Sequence, residues 1–171
     1  MSRMLLVAVA VGLTLSGSVR ADNKEKIEAA KAAIETLEKT KDAKERAAAI
    51  TKLGTAASGG LFKYVEPGIP KVIAALDDKD AGVRAAAALA VGQIGPDDAD
   101  AVVRKLADLL KDKDDKVKEN AVKSLGSFGP KAESAMKALR EAKKEVGDPK
   151  SKFSREIDSA MKTIKPKKEK Q

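Results

Sequence analysis

Two clusters of aspartates are the residues whose spacing could support chemistry in this chain. They are Asp97, Asp98, Asp100 and Asp112, Asp114, Asp115. Grouped carboxylates can bind a divalent cation, but neither cluster has the Gly and the terminal Glu spacing of a Ca²⁺ loop. Each cluster lies just before a predicted helix, where carboxylates accept hydrogen bonds from free N–H groups and offset the helix dipole. We therefore favour helix-terminus stabilisation over metal binding.

The side chains that most often perform catalysis are missing, because the chain contains no His and no Cys. The usual general base, the usual nucleophile and the common transition-metal ligands are therefore absent. Ser58-Gly59-Gly60 has neither the Lys nor the helix context of a phosphate-binding loop. We expect a protein that is not an enzyme and needs no metal and no cofactor.

The first 21 residues have the pattern of a secretory signal peptide. Arg3 gives a positive start, Met4 to Leu15 is apolar apart from Gly12 and Thr14, and small residues precede Ala21. The apolar run is too short to span a bilayer, which needs ~20 residues, and no second apolar run follows it. We predict cleavage after Ala21, export to the periplasm or outside the cell, and no transmembrane segment in the mature chain.

The rest of the chain repeats itself. A shift of 34 residues places Asp80-Ala81-Gly82-Val83-Arg84 onto Asp114-Asp115-Lys116-Val117-Lys118, and Gly95-Pro96 onto Gly129-Pro130. Shifts of 38 backwards and 36 forwards reveal two weaker copies. Such periodicity is the signature of a solenoid, whose outer copies are degenerate because one side faces water.

Each copy contains two apolar ladders with helical spacing, such as Val83, Ala87, Val91 and Ile94 in a second helix. The sequence predicts an all-α, right-handed α-solenoid of about four helix-turn-helix repeats and about eight helices. Residues 22–165 form its single domain, with approximate repeats 22–57, 61–95, 96–129 and 130–165. Residues 166–171 are expected to be a disordered basic tail. Helix starts are expected near Asp98, Asp114 and Asp148.

The segment from Asp77 to Gly95, with Asp80-Ala81-Gly82-Val83-Arg84 at its centre, resembles HEAT repeats, in the short form found in phycobilisome-lyase-like proteins. The resemblance implies a right-handed solenoid whose second helices line the concave side, but it does not imply lyase activity. It also implies that Arg84 pairs with an aspartate of an inter-helix turn. Asp80 and Asp114 are the candidate partners, and we favour this structural role over ligand binding.

A partner-binding row follows from the geometry of the second helices. Opposite the buried ladder, at 100° per residue, lie Ala85, Leu89 and Gly92 and their equivalents in the other copies. Packing between repeats can bury Ala85 and Gly92, so neither is chosen as a binding residue. The predicted binding residues are Leu89, Lys123, Arg155 and Lys162.

The function that we predict is binding of a protein or peptide partner on the concave face, by a chain that is a monomer on its own. The alternative is binding of anionic material, such as nucleic acid, membrane headgroups or acidic polymer, through the last repeat and tail. Residues 131–171 carry 13 Lys and Arg against 7 Asp and Glu, whereas residues 22–130 are balanced. Nucleic acid is disfavoured by the export signal, by that balance and by the scarcity of aromatic side chains for stacking.

Two of the four aromatic residues, Phe62 and Tyr64, lie in a long junction between the first two repeats. They could anchor a protruding contact loop. We favour the other interpretation, in which they pack beneath the junction, because the chain has few other large apolar groups.

Overall fold

The computed structural model describes residues 23–165, and in that range every regular element is a helix. The signal peptide and the tail predicted from the sequence lie outside these residues. Short 3₁₀ turns cover Glu66–Gly68, Ala75–Asp77 and Gly129–Ala135. The α-helices are α1 (residues 23–39), α2 (Ala43–Ser58), α3 (Phe62–Val65), α4 (Ile69–Ala74), α5 (Ala81–Ile94), α6 (Ala99–Leu109), α7 (Asp115–Phe128), α8 (Met136–Val146) and α9 (Lys152–Ile164). The all-α fold class is confirmed.

The core is a continuous seam of aliphatic side chains between the helices. Val83, Ala87 and Val91 of α5 are fully buried, and so are Val117 and Leu125 of α7. These are ladder positions predicted from the 34-residue repeat. Burying one Val or Leu contributes about 1.5–3 kcal/mol, so each repeat is stabilised mainly by contact between its two helices and the neighbouring repeats.

The helices begin and end where the sequence supplies suitable capping residues. Asp80 and Asp114 accept hydrogen bonds from backbone N–H groups in the first turns of α5 and α7, and Asp98 does so at α6. Gly95 ends α5 with a φ of 61°, a left-handed conformation that Gly adopts without steric cost. Asp148 does not cap α9, because Ser151 takes that position. Pro149 lies between them, and a carboxylate oxygen of Asp148 instead accepts the N–H of Lys150.

The helices form two layers. The second helices of the repeats, α2, α5, α7 and α9, pack side by side in that order along their lengths. In the other layer, α6 and α8 touch each other much less. The second helices therefore form one continuous layer of an α-solenoid, and the resemblance to HEAT repeats implies that this layer is the concave side.

The first helix of the second repeat is broken into short pieces. Pro67 lies in the 3₁₀ turn between α3 and α4, and Pro70 occupies the first turn of α4. Proline is tolerated at a helix start but removes a hydrogen bond inside one, so the chain restarts at each proline. Phe62 and Tyr64 on α3 remain 37% and 36% exposed. The expectation that these aromatics pack beneath the junction is therefore wrong.

Candidate partner-binding surfaces

The residues of the predicted row fall on two different surfaces. Ala85 is buried, and its carbonyl oxygen accepts a hydrogen bond from Asn120 Nδ2 of α7 at 2.8 Å. Gly92 also faces α7, because a Cβ added there would lie 2.8 Å from the Cα of Ser124. Both positions therefore belong to the contact between consecutive second helices, where packing between repeats was expected to bury them. Only the position between them, Leu89, is open to the concave side, where it is half-buried.

Leu89 and its equivalents form what we call the open row. Its members lie at the same position on α2, α5, α7 and α9 and are exposed or half-buried; they are Thr51, Leu89, Lys123 and Ser159. One turn further along each helix the side chains are also exposed and short or polar: Thr55, Gln93, Ser127 and Thr163. The concave side is thus a shallow strip of mostly short polar groups, with one aliphatic side chain and one lysine.

Lys123 is held in a cluster of charges that balance one another. Its Nζ lies 3.9 Å from Glu156 Oε1, and Lys152 Nζ lies 3.7 Å from the same oxygen. Lys152 also approaches Glu119 Oε1 at 3.5 Å. The second oxygen of Glu156 is buried without a hydrogen-bond partner. Since two lysines face two glutamates, a ligand meets little net charge at this part of the open row.

Arg155 and Lys162 occupy the end of the stack rather than the open row. Their equivalents on α7 are Glu119 and Gly126, and Gly126 packs against Ala160 of the next second helix. No second helix follows α9 among the described residues, so Arg155 and Lys162 are exposed. Neither has a carboxylate within 4.0 Å in the part of the chain that the structure describes. We call this pair the C-terminal cations.

Arginines connect consecutive repeats. Arg46 donates from Nε and Nη2 to both oxygens of Asp78, each at 3.0 Å. Arg84 makes the same two-pronged contact with Asp112, at 2.7 and 2.9 Å. The structural role expected for Arg84 is thus confirmed, but neither Asp80 nor Asp114 is its partner, because those two carboxylates cap helices.

The Arg contacts change the acidity of the aspartates. The hydrogen bond from Arg84, opposed by burial, holds the pKa of Asp112 below its ordinary value. At Asp78, burial raises the pKa, but hydrogen bonds from Arg46 and from the Asp80 N–H outweigh it, so that the pKa is lowered. Both carboxylates therefore stay ionised, and each binds the arginine of the preceding repeat.

Several of the aspartates that could have bound a metal make structural contacts instead. Among residues 23–165, no group of three or more acidic side chains is arranged to hold a metal ion. Asp98, Asp112 and Asp114 serve as caps or ion-pair partners. Within the same residues, no helix is long and apolar enough to cross a membrane.

One surface was not identified from the sequence. An apolar groove with a volume of about 360 Å³ lies between α1 and α2, at the first end of the stack. Its walls include Ala29, Ala30, Ala56 and Leu61, with Lys26 and Lys52 also on its lining. We call it the N-terminal groove. The sequence signal for this groove is Lys52. The equivalent residues of later repeats are all small: Ala90, Ser124 and Ala160.

Solved structures similar to this chain are engineered proteins. Crystal structures of two such proteins, both targets of the Northeast Structural Genomics Consortium, match with TM-scores of 0.60 and 0.61 at 23% and 25% identity. The matches cover 79% and 80% of this chain but 62% and 63% of the engineered ones, so this chain spans about three fifths of their length. They support the repeat fold alone. No curated protein matches the chain.

The family comparison agrees with the repeat that the sequence and the helices display. The family model described as HEAT repeats matches residues 30–108 and again residues 69–151. The two matches overlap and together span most of the described helices. The chain therefore belongs to the HEAT-repeat family.

Proposed function

We propose that this protein is an exported, non-catalytic HEAT-repeat scaffold that binds a protein or peptide partner along its concave face. A HEAT-repeat fold is typical of protein-interaction modules. The observation that carries the proposal is the open row, since four consecutive second helices present accessible side chains at the same position. In a repeat stack, equivalent positions of successive helices line up and form one extended surface.

The chemistry of the open row favours a segment that docks through its backbone and one apolar anchor. Leu89 offers an aliphatic contact near the centre, and Thr51 and Ser159 flank it with small polar groups. The charges at Lys123 and Glu156 offset each other, so this surface does not select for strongly charged ligands. A peptide of mixed composition fits these features better than a polyanion does.

A second candidate function rests on the C-terminal cations. Arg155 and Lys162 are exposed and lack carboxylate partners in the described residues, and the surrounding repeat carries the excess of positive charge. These features favour contact with anionic material. Because exposed charges are screened by salt, this mode should weaken steeply as ionic strength rises, whereas docking on the open row should not.

Three variants separate the two functions. Leu89→Glu with Lys123→Glu alters the open row, Arg155→Glu with Lys162→Glu alters the C-terminal cations, and Arg104→Glu with Lys111→Glu is the control. Arg104 and Lys111 are exposed on and just after α6, in the other helical layer. Each tagged variant is used to recover partners from the native cell envelope, after circular dichroism has shown an unchanged melting temperature.

The proposal expects the partner recovered with the unaltered protein to be lost with the open-row variant and retained with the other two. Loss with the variant of the C-terminal cations alone, together with strong salt dependence, supports the second function. Equal loss with the α6 control would mean that net charge governs recovery, and both proposals would be wrong.

A further inference from the structure

The N-terminal groove lies beside α2, the second helix that no other second helix precedes among residues 23–165. In each later repeat, one small residue of the second helix faces the preceding second helix: Ala90 faces Gly54, Ser124 faces Gly92, and Ala160 faces Gly126. All three small residues are at least 95% buried. On α2 the equivalent residue is Lys52, which is exposed because no second helix precedes α2 in the described residues.

The open side of α2 is lined mainly by apolar groups. Ala30 is buried and Ala29 is exposed, so α1 supplies both the floor and an accessible wall of the N-terminal groove. Ala56 and Leu61 close the opposite side. The volume of about 360 Å³ lies at the lower end of the range for ligand sites, which suits a few apolar side chains rather than a large cofactor.

The charged groups that line the groove have one sign. Lys26 and Lys52 are there, and no Asp or Glu is among the lining residues. No carboxylate lies within 4.0 Å of the Lys52 ammonium in the part of the chain that the structure describes. An apolar depression with the Lys52 ammonium at its edge matches a partner helix that inserts apolar side chains and places a carboxylate beside them.

A second copy of this chain is a poor occupant. Head-to-tail stacking would bring Lys26 and Lys52 towards the C-terminal cations, Arg155 and Lys162, and head-to-head stacking would oppose the two lysines with themselves. Like charges brought together across an interface are unfavourable. Neither stacking of a second copy therefore supplies an acidic occupant for the groove.

From these observations we infer that the N-terminal groove is a docking site for an acidic amphipathic helix of another protein. The site is separate from the open row, with which it shares only Thr51. Phe62 immediately follows the groove residue Leu61 and is 37% exposed, so an aromatic contact is available beside the groove for the same partner.

The test uses a defined probe and the full chain. The probe is a fluorescein-labelled synthetic helix with leucines at positions i, i+3, i+4 and i+7 and glutamates beside them. Fluorescence anisotropy measures its binding to the unaltered protein and to Ala29→Glu/Lys52→Glu, which places carboxylates in the groove. The control, Ala32→Glu/Lys44→Glu, makes the same changes at exposed positions of the same two helices outside the groove.

Saturable binding that weakens at least tenfold in the groove variant and less than twofold in the control supports the site. Amide shifts in NMR spectra at Ala29, Ala30, Ala56 and Leu61 locate it. Absence of saturable binding, equal weakening in both variants, or equally tight binding of a probe with lysines in place of the glutamates would overturn it. An open-row variant leaves this binding unchanged, so the two proposals fail independently.

Discussion

Arg84 of α5 holds Asp112, a residue of the turn that precedes α7, with two hydrogen bonds of 2.7 and 2.9 Å. The same guanidinium donates through Nη1 to the backbone carbonyls of Asp78 and Lys79. One side chain therefore ties the turn of its own repeat to the turn of the next. The Arg and Asp side chains are only 19% and 8% exposed, so water competes little for these contacts.

Replacing this arginine by lysine should destabilise the stack. A single ammonium cannot reproduce the planar fork that contacts both oxygens of Asp112. We expect Arg84→Lys to lower the free energy of unfolding by about 1.5–3 kcal/mol, the range for a hydrogen bond to a charged group. Urea unfolding followed by circular dichroism measures the loss.

The control is Lys118→Ala at the equivalent position of α7. Lys118 contacts the exposed Asp115 within its own helix, at 2.7 Å, and does not reach the next repeat. Its removal should cost no more than about 0.5 kcal/mol. A similar loss in both variants would show that the link between repeats is not what stabilises the protein.

The Asp112 carboxylate should make part of the stability depend on pH. Because its pKa is lowered in the folded state, its contribution is fully present above the ordinary Asp pKa of about 3.9 and is lost as pH falls through the folded value. Asp112→Asn lacks this contribution at every pH. The difference in unfolding free energy between the two proteins should therefore shrink below about pH 4. A difference that stays constant from neutral to acidic pH contradicts this origin.

The sequence predicted the repeat, the ladders and most helix caps because these depend on local chemistry. Val117 is buried and Asp114 is an N-cap for reasons that a single helix already contains. The partner of Arg84 was missed because it depends on how two repeats stack. Asp112 lies 28 residues along the chain, and no periodicity within one repeat distinguishes it from Asp114.

The candidate site was harder to predict for the same reason. A helical wheel places Ala85, Leu89 and Gly92 on one face, but the curvature of the stack decides which of them the next helix covers. By position, the C-terminal cations belong to the row predicted from the sequence. Their surroundings differ from those of the equivalent residues on α7, because the described stack stops at α9. The N-terminal groove has no motif, since alanines are ordinary in any helix and Lys52 stands out only beside its buried equivalents.

The close approach of α5 and α7 should make Gly92 sensitive to a single methyl group. A Cβ at this position would meet the side chain and the Cα of Ser124, and the backbone of α7 cannot move away without disturbing the repeat. We expect Gly92→Ala to cost about 1–3 kcal/mol in unfolding free energy, although alanine is the better helix former. The control is Gly59→Ala, where an added Cβ would lie 3.4 Å from its nearest heavy atoms. An unchanged melt for Gly92→Ala would contradict the packing.

Export can be tested on the protein itself. If residues 1–21 are a signal peptide, N-terminal sequencing of the protein from its native location should begin at Asp22. Replacing Val19 and Ala21 with Arg should block cleavage, so that a longer form accumulates. Recovery of the native protein with its first residues intact and in the cytoplasm would refute the export prediction without affecting the fold.

Val117 tests the register of the whole stack. Its side chain is fully buried in α7, the second helix of a central repeat that contacts both neighbouring second helices. Val117→Asp would bury a carboxylate among aliphatic groups, at a cost of several kcal/mol in a domain whose stability is of the order of 5–15 kcal/mol. We expect loss of the cooperative thermal transition or a large drop in melting temperature, measured by circular dichroism.

The matched control is Lys116→Asp, one residue earlier and exposed in the first turn of α7, where a carboxylate interacts favourably with the helix dipole. Near-unaltered melting of Val117→Asp would mean that Val117 is not a buried ladder residue, and the alignment of the repeats would have to be redrawn.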